Sequence, residues 1–388
     1  MLALACAALL VTACSGDDDD STTDGAVDTI DTIDTIDTGG TDATADDTSG
    51  DGGTAGVDAE RCELNRDAGT ITYLTSFDFA AAASIIDVVI AEDRGYYDEL
   101  CLDVDVIAGL STDNYPLVAS GTAQFSSGGS FAEVASFAVA NETDFVVLAA
   151  EGNVPIDVLM VKPGVAEELE DLAGETIGVQ FRTPMSIAAM LASVGLADNE
   201  DFTSVPLPGF DAAANIEPDE LAGITGYKSN EVGQLAAAGI DVDLFDPADY
   251  DVPGSFGAIY TTASFLEEHP TVVEDFLRAT MRGLEQALAD PAAAAEVAIA
   301  YAEEAGNAFF LSIDGETFRW ETEATLVLES ATEGQPIGWP NVETLQAELD
   351  SYAPFGLFGD GETPDAAGMI DASVIEAVHD GTTLVWPG

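Results

Sequence analysis

The sequence predicts an α/β fold with mixed, mostly parallel sheets flanked by helices. Three observations point there. Short β-branched runs alternate with longer runs of helical period from about residue 70 to residue 261. Beyond that point the chain turns helical. The 388 residues, 47% of them hydrophobic, are enough for a large core.

In order, strands are predicted at 71–74, 102–107, 123–126, 145–149, 158–161, 176–180, 202–207, 223–226 and 256–261. Helices are predicted at 80–91, 115–119, 130–140, 184–194 and 229–238, then at 270–288, 291–304, 315–330 and 341–351. Pro270 and Pro291 suit the first turn of a helix, where the missing N–H has no helical partner to lose. In open α/β sheets ligands bind beyond the carboxyl ends of strands. The loops after Ser76, Ser126, Gln180, Leu207 and Gly226 are therefore the candidate site loops.

Residues 1–14 look like an export signal with an anchor. The first 13 are almost all apolar or small, too few to span a bilayer as a helix. No basic residue precedes them, which points to a true start upstream of Met1. Leu10-Val11-Thr12-Ala13-Cys14 resembles a bacterial lipobox, so Cys14 is the expected site of acylation and of attachment to the membrane. The alternative is an ordinary signal that contains a cysteine. Residues 15–60 hold an Asp run, an Asp-Thr-Ile repeat and much Thr and Gly. Such a stretch buries too little apolar surface to offset its chain entropy, and is expected to be a flexible acidic stalk.

Nine Lys plus Arg face 73 Asp plus Glu, for a net charge of −64. That excludes nucleic acid as a partner. It fits a salty medium, which screens self-repulsion. Cys62 and Cys101 remain after the signal. In an oxidising compartment they form either a disulfide or a pair of free buried thiols. Their spacing does not suit zinc, and His269 and His379 have no ligand spacing, so no metal and no cofactor is expected.

Five stretches carry a resemblance. Ala91-Glu92-Asp93-Arg94-Gly95-Tyr96-Tyr97 with Leu102-Asp103-Val104-Asp105-Val106 resembles A-x-x-x-G-Y-[FY]-x-x-x-G-L-x-V-x-V, with Cys101 in place of a Gly. Leu117 to Phe125 resembles L-V-A-S-G-x-A-D-F, with Gln124 for Asp, and Leu169 to Gly178 resembles E-L-x-D-L-x-G-K-x-I-G, with Glu175 for Lys. Gly226-Tyr227-Lys228-Ser229-Asn230-Glu231 resembles Y-x-x-N-E, and Phe265 to Thr280 resembles F-L-x-x-H-P-x-x-V-x-x-F-L-R-A. These are similar to the family of thiamine-pyrimidine-precursor-binding proteins of ABC importers. Riboflavin-, sulfonate-, taurine- and nitrate-binding proteins and a fungal pyrimidine synthase are its relatives. The resemblance implies a two-lobed periplasmic-binding-protein type II fold. Lobe one would comprise residues 63–153 and 258–388, and lobe two residues 154–257, with hinges near Asn153 and Ser255.

Candidate ligand contacts follow. Phe77, Asp78 and Phe79 come after the first strand, where the family often stacks an aromatic on a planar ring. The alternative is core packing by Phe with Asp78 as a helix cap. Ser126, Ser127 and Gly128 lead a strand into a helix and offer free N–H groups, unless the turn is a plain one. Arg182 could hold an anion or pair with a surface acid, and Thr183 caps the next helix. Tyr227, Asn230 and Glu231 match an aminopyrimidine: a stacking ring, an amide of both polarities and an acceptor. Otherwise Ser229 caps the helix and Glu231 complements its dipole. Tyr250, Tyr260, Trp320 and Trp339 could supply further stacking faces.

The expected function is capture of a small flat heterocycle outside the cytoplasm. The expected protein is a monomeric, lipid-anchored binding protein serving ABC permease subunits. Riboflavin binding or sulfonate, taurine or nitrate binding is the alternative. A synthase is disfavoured because no catalytic constellation, Cys cluster or phosphate loop stands out.

Overall fold

The computed structural model describes residues 57–306, 311–359 and 361–387. The expectations for the signal, Cys14 and nearly all of the stalk lie outside those residues. The first helix, Ala59–Asp67, starts just inside the stretch read as stalk, where Asp58 accepts a hydrogen bond from the Arg61 N–H.

Ten strands build two five-stranded sheets: β1 (Thr70–Leu74), β2 (Asp103–Ile107), β3 (Phe125–Gly128), β4 (Phe145–Gly152), β5 (Asp157–Val161), β6 (Thr176–Val179), β7 (Thr203–Pro206), β8 (Gly223–Tyr227), β9 (Asp243–Phe245) and β10 (Phe256–Thr262). The first sheet runs β2-β1-β3-β10-β4 and the second β7-β6-β8-β5-β9. Both have the same plan. Three parallel strands are followed by a strand that arrives from the other sheet and pairs antiparallel on both sides. Parallel and antiparallel pairings are therefore equal in number, which corrects the expectation of mostly parallel sheets. The cause is the pair of crossings, at 153–156 and 246–255.

β4 is buried along almost its whole length although it ends its sheet. Its outer side is covered by the C-terminal segment: Asp371 N–H donates to the Val147 carbonyl, and the Ala150 N–H to that of Gly338. Covering a sheet edge satisfies backbone groups that would otherwise face an apolar surround. The Val342–Tyr352 helix braces the return crossing. Its Glu348 accepts from the Ala132 N–H at 3.1 Å and from the Ser255 hydroxyl at 2.6 Å.

The helix predicted at 80–91 is two pieces. A tight turn spans Phe79–Ile85, with a break at Ala81 (φ −117°), and an α-helix follows over Ile86–Asp93. The α-helix lies against the 20-residue helix Pro270–Ala289. Contact is closest at Gly283, where an added Cβ would lie 2.0 Å from the Asp87 carbonyl oxygen. Glycine there lets the backbones approach. Cys62 and Cys101 are joined with their Cα atoms 5.3 Å apart, tying the first helix to the turn before β2.

Candidate functional site

A narrow cavity lies where strand ends of the two sheets meet. The first sheet contributes Ser76 and Phe77 after β1, Ser127 to Gly129 at the end of β3, and Glu151 near the end of β4. The second contributes Tyr227 at the end of β8. The Phe77 and Tyr227 rings meet edge to face across it, centroids 6.1 Å apart. Ser84, Ile85 and Asp87 enter from the broken helix, and Glu323 from the helix Ile313–Glu329.

Three carboxyls therefore reach one small space. Asp87 is 1% exposed, Glu323 2% and Glu151 8%. Gly257 opposite Glu151 explains how the last one fits: a Cβ there would lie 2.6 Å from the carboxyl carbon. Ser84 donates to Glu323 Oε1 at 2.6 Å. Burial lifts the Asp87 carboxyl to about 6 and Glu323 to about 7. Glu151 is pushed well up, by burial first and by the Asp87 and Glu323 charges next. Removing a carboxylate from water disfavours its ionised form, and like charges add to that.

The structure distributes the sequence-predicted residues unevenly. Phe77, Ser127, Gly128 and Tyr227 line the cavity. Ser126 lies beneath it, donating to the Leu74 carbonyl at 2.8 Å and accepting from Asn114. Asp78 accepts from the Ala80 N–H, and Phe79 packs edge-on against Tyr301. Both take the structural alternative. Asn230 and Glu231 are away from the cavity wall. Glu231 accepts the Tyr227 N–H at 2.7 Å and the Asn230 amide at 3.0 Å, and Asn230 accepts from Arg319 at 2.7 Å. A carboxylate reaching back over a helix start satisfies a backbone donor, and these two groups are occupied in that way. Ser229 is no cap; the N-cap position is Asn230, whose side chain makes no capping bond to the helix.

Arg182 is exposed, and its charge acts on Glu133, easing the lift that burial gives that carboxyl. Thr183 does not cap the helix that begins at Met185. It donates to Asp198 at 2.9 Å, and Pro184 takes the cap position. Trp320 and Tyr260 are in the core.

Asp87, Glu151, Ser84 and Glu323 escaped the sequence reading. A signal was present for the first two. Asp87 is the one acid in the apolar run Ile85 to Ile90, and Glu151 ends the apolar run of β4.

With this geometry in view, the comparisons with known proteins agree in kind. The profile of the NMT1/THI5 like family matches residues 82–294, and the chain belongs to that family. A riboflavin-binding protein, RibY of Chloroflexus aurantiacus, is 30% identical over 41% of this chain and 43% of its own length. A formylaminopyrimidine-binding protein of Halalkalibacterium halodurans is 26% identical over 59% of this chain and 70% of its own length. The periplasmic aliphatic sulphonate binding protein SsuA of Escherichia coli superposes with a TM-score of 0.59 at 14% identity, over 81% of this chain and 94% of its own. That likeness defines a periplasmic-binding-protein fold. Among the described residues no helix is long and apolar enough to cross a membrane.

Proposed function

We propose that the protein captures a flat nitrogen heterocycle, an aminopyrimidine of the thiamine-precursor kind, outside the cytoplasm and hands it to the permease subunits of an ABC importer. One observation carries this: Phe77 and Tyr227, from different sheets, face each other across a cavity at strand carboxyl ends. With the lobes parted, a planar ring entering between them would stack on the face of one and meet the other edge-on. The names of the two sequence relatives support a heterocycle, and the binding-protein class supports capture without chemistry. The two sheets would head lobes of residues 63–153 with 258–388 and of 154–257, closing by rotation at the crossings. Cys14 would hold a monomer to the membrane through its lipid.

Thermal unfolding with added ligand tests the proposal. Hydroxymethyl or formylated aminopyrimidine should raise Tm in a concentration-dependent way. Phe77→Ala should weaken binding about fivefold, the equivalent of about 1 kcal/mol of stacking. A shift with riboflavin alone would favour the second reading, supported by the 30% identity to the riboflavin-binding relative. A shift only with taurine, a sulfonate or nitrate would overturn both.

A further inference from the structure

We propose that the floor of this cavity is a cation subsite, in which Asp87, Glu151 and Glu323 hold an ammonium or amidinium group of the ligand. The proposal rests on the heterocycle reading for the ring and adds to it the charge of the substituent.

Three features converge. First, the three carboxyls and Phe77 line one cavity. Second, Asp87 is 1% exposed, and among the described residues its Oδ2 is met by no basic, hydroxyl or amide donor; the side chain that bonds it is the Glu151 carboxyl. A buried acceptor left unpaired is costly unless something else satisfies it. Third, no basic side chain acts on Asp87 or Glu151; Glu151 feels the Asp87 and Glu323 carboxyls, and the side chain beside Asp87 is that of Glu151. Arg319 acts only on the third member, Glu323. Of the basic side chains nearby, Lys228 pairs with Asp246 at 2.7 Å, and Arg319 bonds Asn230 at 2.7 Å and lies 3.6 Å from Glu316.

A negative floor repels sulfonate or nitrate and attracts a cation. The cation is an organic one. Among the described residues no group of His, Cys, Asp and Glu is gathered closely enough to hold a metal ion. An ammonium presents three donors and no acceptor, which suits a site made of acceptors. At the wall, Ser84 donates its proton to Glu323 and can still accept, and Ser127 accepts from Tyr73 and can still donate.

Two matched pairs of probes test this by calorimetry at pH 7.5: aminomethyl against hydroxymethyl aminopyrimidine, and benzylamine against benzyl alcohol. The amine should bind at least tenfold more tightly in each pair that binds. Glu151→Gln and Glu323→Gln, checked for folding by circular dichroism, should each reduce that ratio toward one while the alcohols keep their affinity. Equal affinity of amine and alcohol in the unaltered protein overturns the subsite and leaves the heterocycle proposal standing. Binding of benzylamine without either pyrimidine overturns the pyrimidine and supports the subsite. No binding of any of the four overturns both.

Discussion

Asp275 and Asp87 are both closed off from solvent, at 0% and 1% exposure, on helices that pack against each other. Their surroundings are opposite. Asp275 accepts from Arg61 Nε at 2.6 Å, from Asn65 at 2.7 Å and from Arg278. Asp87 faces the Glu151 carboxyl and no basic side chain. The chain has only nine Lys plus Arg, so where they are placed is informative. Two converge on the carboxyl that locks the first helix onto the Pro270–Ala289 helix, and none reaches the pair in the cavity. A buried charge that serves the fold is neutralised inside the chain. One left without a partner is a place for a counter-charge from outside.

The comparison can be broken from the paired side. Asp275→Ala would strand Arg278 and part of Arg61 without an acceptor. The expected loss of unfolding free energy is about 3–5 kcal/mol, read from urea denaturation. Binding at the cavity should survive in whatever fraction remains folded.

The unpaired side predicts the opposite sign. Burial lifts Glu323 from the usual 4.5 to about 7. The folded chain therefore holds this proton over a range where the unfolded chain has released it. Stability from the proton is complete below about 4.5 and is lost as pH rises through about 7. Glu323→Gln should leave stability unchanged near pH 4 and raise it at pH 8 by roughly 2–3 kcal/mol. Urea midpoints at the two pH values check this. A variant no more stable than the parent at pH 8 would mean that Ser84 and Arg319 already offset the cost of burying the charge.

A third cation sharpens the contrast because it is paired at the surface. Arg282 lies over the touching Tyr96 and Trp386 rings, 4.1 and 4.0 Å from their centroids, and 3.2 Å from Glu99. Arg282→Ala should cost about 1 kcal/mol or less, without any change in ligand affinity.

Much of the fold was legible because strand and helix write different periods into the chain. Nine of the strands follow apolar runs. β9 escaped because it is only three residues, Asp243–Phe245, with two of them exposed. The Ala59–Asp67 helix escaped because its sequence is almost wholly polar; what secures it is distant in the chain, Asp275 through Arg61 and Asn65, and Cys101 through Cys62. The aromatic walls of the site could be read from strand ends. Its acids were only half legible: Asp87 and Glu151 stand out within apolar runs, whereas Glu323 lies in a polar stretch of its helix and carries no such signal. Asn230 and Glu231 show the converse. A motif suited to a ligand can be consumed by the backbone it follows.

The cavity draws its lining from Ser76 through to Glu323, and β4 is covered by residues further on still. A chain synthesised or threaded through a pore from its N-terminus cannot complete the pocket until nearly all of it has emerged. Capture is thereby deferred until synthesis or passage is almost finished, and a nascent chain cannot carry ligand along with it.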